Sequence, residues 1–168
     1  MKIRKIFVLI GILILPNLAF SADDTLEFRV KLDVRGDESL ENRIENYLSR
    51  ELRDLSDVIQ SKDNYRYQIT VLGVKLKNTT GDGIAVLSVS IHTKFDSQTF
   101  SSMLKKEFVR EGIILTKDLY YYPKHWVRSG SVHDLRSICR RIIADFDSQI
   151  LQTQRDAIEV GKVYDLDM

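Results

Sequence analysis

The stretch Ser129–Arg141, SGSVHDLRSICRR, holds the one cysteine of the chain, one of its three histidines and an aspartate between them. A thiol beside an imidazole is the pairing that nucleophilic catalysis uses, the base drawing off the proton and the thiolate attacking. The spacing opposes that chemistry. His133 and Cys139 are six residues apart, so at about 100° per residue their side chains sit roughly 120° apart around a helix. Cys139 stands four residues after Leu135 and three before Ile142. It therefore lies inside an apolar stripe that continues through Ile138, Phe146 and Ile150, with Ile143 and Leu151 at its border. A thiol in apolar surroundings keeps its proton and is a poor nucleophile. Ser131 has the oxygen of an N-cap, and Asp134 three residues on resembles the acidic member of a capping box. The stretch predicts a helix beginning at Val132, with a core cysteine and a capping aspartate.

Other chemistry fares no better. His92, His125 and His133 show no i, i+2 or i, i+4 pair and no HExxH, so no preassembled metal site is visible and no metal or other cofactor is expected. His92 alternates with Ser88, Ser90 and Lys94, the wet face of a strand. There is no GxSxG elbow, no GxGxxG and no Walker loop. Carboxylates are plentiful but interspersed with Lys and Arg, the pattern of surface pairing. Asn78-Thr79-Thr80 matches a glycosylation acceptor, a short pattern that marks a surface turn. No residue is assigned as catalytic. What remains is the aromatic group of LYYYPKHWVRSG. Tyr120, Tyr122, His125 and Trp126 are the candidate ligand or partner contacts, because rings stack on sugars and on a partner's side chains. On a regular strand Tyr120, Tyr122 and Trp126 share one face and Tyr121, His125 and Val127 the other. Strands also select aromatics simply for packing.

The first residues carry the most specific signal. Lys2, Arg4 and Lys5 precede an apolar run from Ile6 to Leu15, and Ala19 and Ser21 supply small residues two apart. This is the pattern of a cleavable secretory leader over residues 1–21, with an uncleaved anchor as the alternative. The run is short for a membrane span and broken by Pro16, so no stable membrane insertion is expected after cleavage. No cysteine adjoins the cut to accept a lipid. Without Lys2, Arg4 and Lys5 the net charge moves from +1 to −2, with both signs interspersed, which argues against nucleic acid as a partner. One cysteine forms no internal disulfide, so the core alone must hold the fold. The expected organisation is a leader, one domain over 22–156 and a C-terminal tail over 157–168.

LEFRVKLDVR alternates apolar and charged residues from Leu26 to Arg35 and predicts a half-buried strand that Gly36 breaks. Asp37 then caps a helix whose stripe is Leu40, Ile44, Tyr47, Leu48, Leu52 and Leu55. A short extended piece around Asp57–Gln60 precedes a strand from Tyr65 to Lys77. There the apolar set changes phase, from Tyr67, Ile69 and Val71 to Leu72, Val74 and Leu76, and a bulge near Gly73 is expected. NTTGDG turns the chain into a returning strand, Ile84 to Phe95, with Ala85, Leu87, Val89 and Ile91 on one face. Phe100, Met103, Leu104 and Phe108 fit a helix ended by Gly112. Pro123 demotes the aromatic strand to an edge or bulged position.

The order strand, helix, hairpin, strand, helix predicts an α+β two-layer sandwich: a mostly antiparallel sheet of four to five strands, with two main amphipathic helices on one face. On LENRIENYLSREL and LRSICRRIIADF the chain, from Leu26 to Gln154, resembles small exported domains such as the amino-terminal domain of the Tol-Pal propeller protein and outer-membrane activators of cell-wall synthases. The resemblance implies non-catalytic work in a Gram-negative envelope and transfers no functional residue. The expected function is that of a periplasmic binding or adaptor protein contacting another envelope protein through a sheet edge or the aromatic strand. A small-molecule or glycan-binding module built on Tyr120, Tyr122 and Trp126 is the alternative, and a hydrolase without a recognised motif the third reading.

Overall fold

A computed structural model describes residues 26–77, 83–94 and 120–163, with the side chains of Tyr122 and of residues 160–163 excepted. The leader, most of the NTTGDG turn with its glycosylation pattern, and the helix expected around Phe100–Phe108 lie outside the described residues. The chain divides into two compact units. One, Thr25–Phe95 with Leu119–Gln152, holds five strands and two long helices. The other is described only from Thr153 onward, in a helix, Gln152–Val163 (α3), that runs into the segment expected as a tail. Among the described residues no helix is long and apolar enough to cross a membrane.

In the first unit, β1 (Phe28–Gly36) leads into α1 (Glu38–Arg53), then β2 (Val58–Gln60), β3 (Tyr67–Lys77), β4 (Gly83–Lys94), β5 (Tyr120–Ser131), a 3-10 turn (Val132–Asp134) and α2 (Leu135–Phe146). The sheet order is β2-β1-β3-β4-β5. The fold is α+β, as the pattern predicts. The long ladders β3–β4 and β4–β5 are antiparallel, while β1 runs parallel to both β2 and β3. The β1–β2 pairing follows from connectivity, since α1 carries the chain back across the sheet after β1, and β3 continues in that direction after the short segment 61–66.

The core is the set of side chains that periodicity marks. Phe28 and Val30 of β1, Ile69 and Val71 of β3, and Ala85, Leu87, Val89 and Ile91 of β4 are buried against Leu40, Ile44, Leu48 and Leu52 of α1. The α2 stripe is buried in full, from Leu135 through Cys139 to Phe146. Beyond it the helix widens into a π-turn, Asp147–Leu151, and both Ile150 and Leu151 stay buried. A regular 3.6-residue helix would rotate one of these neighbours away, so the wider turn keeps both in the core. Tyr67 lies edge-on between Phe28 and Phe146, at ring-centroid distances of 6.2 and 5.9 Å.

Two expectations are corrected here. The β3–β4 ladder is uninterrupted from Tyr67↔Thr93 to Lys77↔Gly83, so there is no bulge at Gly73. The phase change instead turns Leu72, Val74 and Leu76 to the opposite face, where they are exposed. Gly73 serves the helix: a Cβ there would meet Ile44 Cδ1 at 2.6 Å. The second correction concerns caps. Ser131 Oγ accepts from the His133 N–H at 3.2 Å as an N-cap does, yet Asp134 makes no capping bond, because a 3-10 turn precedes the α-helix. Asp37 stands at the N-cap of α1 without capping it. Its carboxylate accepts from the Lys75 N–H and its own N–H donates to Gly73 O at 3.0 Å, tying the start of α1 to β3.

Candidate functional site

The opening motif assembles no nucleophile. Cys139 is fully buried, and burial, with the charge of Glu51 adding, pushes its thiol up to about 12. His133 is exposed at the helix start. Among the described residues no group of three or more His, Cys, Asp or Glu side chains is placed to hold a metal ion.

The aromatic strand is β5, and it closes one side of the sheet. Its pairing with β4 slips between Ile91 and Thr93: Ile91 faces Lys124, but Thr93 faces Tyr121. Tyr122 and Pro123 thus oppose His92 alone, a bulge at the proline, where the missing N–H removes a ladder bond. The extra residue reverses the alternation. Trp126, paired with Val89, faces the helices and packs against the core half-buried. Tyr120, paired with Lys94, is on the outer face with His125 and Val127. The expected single face of Tyr120, Tyr122 and Trp126 is therefore not formed, since Tyr120 and Trp126 are on opposite sides of the sheet. For Tyr122 only the backbone position is described.

Register gathers polar groups on the outer face that spacing could not pair. Asp33, Thr70, Ser90 and His125 form one row across β1, β3, β4 and β5. His125 Nε2 and Ser88 Oγ share a hydrogen bond of 3.0 Å, and His92 Nε2 and Ser90 Oγ one of 3.1 Å. Asp33 is bidentate with Arg35, at 2.9 and 3.1 Å, and accepts from Gln68 at 3.4 Å. Burial holds the His92 imidazole below its ordinary value, with Asp33 opposing in part. Beyond the row, just before β3, the Tyr65 hydroxyl is 3.1 Å from that of Tyr120 and its ring lies under Lys31. The two serine–imidazole pairs resemble hydrolase parts only in composition. The carboxylate in this row, Asp33, is held by Arg35, and one pair bridges β4 and β5 while the other lies within β4. What the surface offers is a field of donors and acceptors.

The next rows differ in kind. Leu72 and Val127 flank Ser88, then Val74 lies beside Val86, then Leu76 beside Ile84. The signal for this apolar end was present in the phase change of β3, where it resembled a bulge. The pairing of His92 with the neighbourhood of His125, 33 residues apart in sequence, left no signal in spacing.

No protein-family model matches the chain, and no curated protein sequence does. Solved structures align with the chain only at low identity and low TM-score. A PelC variant dodecamer from Paraburkholderia phytofirmans aligns at 9% identity and a TM-score of 0.40, over 70% of this chain and 83% of that one. A hypothetical protein from Chlamydia trachomatis aligns at 9% identity and 0.41, over 72% and 96%. A minor lipoprotein from Acinetobacter baumannii aligns at 14% identity and 0.37, over 77% and 97%. Similarity at this level transfers no activity, ligand or assembly to this chain.

Proposed function

We propose that the chain is a non-catalytic adaptor of the cell envelope, delivered to the periplasm by residues 1–21, which binds another envelope protein by strand addition at β5. The observation that carries this reading is the position of β5: twelve residues long, at the end of the sheet order, with no described strand on its outer edge. An edge of that length presents alternating N–H and C=O groups, which a partner's extended segment pairs with. The bulge at Tyr122–Pro123 limits the usable ladder to Lys124–Ser131. Basic Lys124 beside it, and Arg128 held by Asp145 at 2.6 Å, leave the edge without an exposed carboxylate of its own.

The test is in-cell cross-linking of the tagged chain, capture from the envelope fraction and mass spectrometry. Proline is introduced at Arg128 and, separately, at Ser129. Ladder alternation turns one of these two N–H groups toward β4 and the other outward. The variant that keeps its fold should lose the dominant captured protein. Capture unaffected by it, or a chain recovered without any envelope protein, would remove the adaptor reading.

A further inference from the structure

The outer sheet face is split along the strand direction, and that division defines a second surface separate from the β5 edge. One end is apolar: Leu72, Val74, Leu76 and Val127 are between 41% and 57% exposed. Next to it lies the row of Asp33, Thr70, Ser90 and His125, and beyond that Lys31, Gln68 and His92. Contiguous exposed apolar side chains on a sheet face mark an interaction site. We infer that this face binds a second copy of the chain, sheet against sheet, in a two-fold dimer.

Three observations select that occupant. The first is charge. The apolar end has one charge at its border, Arg35, already neutralised by Asp33. An apolar end without net charge meets its own copy without like-charge cost, and the cationic Lys31 and Lys94 lie toward the opposite end of the face. The second is register. A two-fold axis running along the strands between β3 and β4 flips the face but preserves strand direction. The apolar end then stacks on the apolar end, β3 lies over the second copy's β4, and β1 over its β5. Rows meet at equal height, so the Asp33 row comes over the row of the second copy's His125 and carboxylate is set opposite imidazole. The third is area. Three strands over a ladder of eleven pairs, with β1 alongside for seven of them, give a projection of roughly 600 Å² at ~4.8 Å strand spacing and ~3.3 Å per residue. Side-chain relief adds to that, toward the ~800 Å² per partner of a standard interface. A lipid surface fits less well, because the polar row lies in the same plane as the apolar end and would have to be desolvated with it.

Sedimentation velocity on the purified full chain, over a concentration series, tests this. The expected result is a reversible monomer–dimer equilibrium. Val74→Lys, on an exposed site that leaves the core untouched, should raise the dissociation constant about tenfold or more with an unchanged far-UV spectrum. Leu76→Lys serves the same purpose should the first variant misfold. Asp33→His should weaken the dimer, and Asp33→His combined with His125→Asp should restore it. A monomer at every concentration overturns the inference. So does a dimer that both lysine variants leave intact, which would be edge-to-edge pairing through β5, and so does a monomer that co-sediments with phosphatidylglycerol-containing vesicles.

Discussion

At the scale of single residues, the chain places its two most constrained positions opposite each other. Gly36, at φ +139°, pairs with Gly73, and a Cβ on Gly36 would fall 1.9 Å from Gly73 O. Neither the left-handed backbone nor the contact tolerates a side chain. Gly36→Ala should therefore cost more than ~1 kcal/mol in urea denaturation. An unchanged midpoint would mean that the β1–α1 turn is not held as described. Both glycines are obvious in sequence, but only Gly36 had a legible role, as a strand breaker. The role of Gly73 depends on Ile44, a residue 29 positions earlier, and no local pattern announces that meeting.

Among elements, α2 shows how periodicity and end chemistry differ in what they disclose. Every apolar residue of its stripe is buried, because a helix presents a residue every 100° whatever it packs against. Its start is less legible, since a Ser and an Asp three residues apart suit both a capping box and a 3-10 entry. The structure separates their contributions. Ser131→Ala should cost about 1 kcal/mol by loss of the cap, while Asp134→Ala should cost less than half of that, measured by thermal unfolding of the two variants side by side. Equal losses would restore the capping box. β5 illustrates the same division. Pro123 forecast an edge or a bulge and the structure has both, yet which ring then faces which side depended on the slip against β4.

For the whole molecule, stability should depend on alkaline pH through two buried groups. The unfolded chain begins to lose the Cys139 proton near 9.0, whereas the folded chain holds it to about 12. Tyr67 behaves likewise between 10.0 and about 12, again chiefly through burial. The folded state binds more protons in this window, so stability is complete below pH 9 and falls as pH rises through it. The slope is up to about 1.4 kcal/mol per pH unit for each group. Urea midpoints at neutral pH and at about pH 10 check this, and Cys139→Ala should flatten the first part of the decline. A flat profile for the unsubstituted chain would contradict the burial of both groups. Sequence by itself determined the α+β class, the strands, the two long helices of the first unit, and nearly every described core side chain, because those follow from periods of 2 and 3.6 within one element. It also determined that Cys139 is a core residue. Only the tertiary structure decided that Tyr120 and Trp126 part company, that His92, His125 and Asp33 come to one surface, and that Leu72, Val74 and Leu76 form an apolar outer end. Those outcomes rest on register between strands distant in the chain, where a slip of one residue exchanges the faces of everything beyond it.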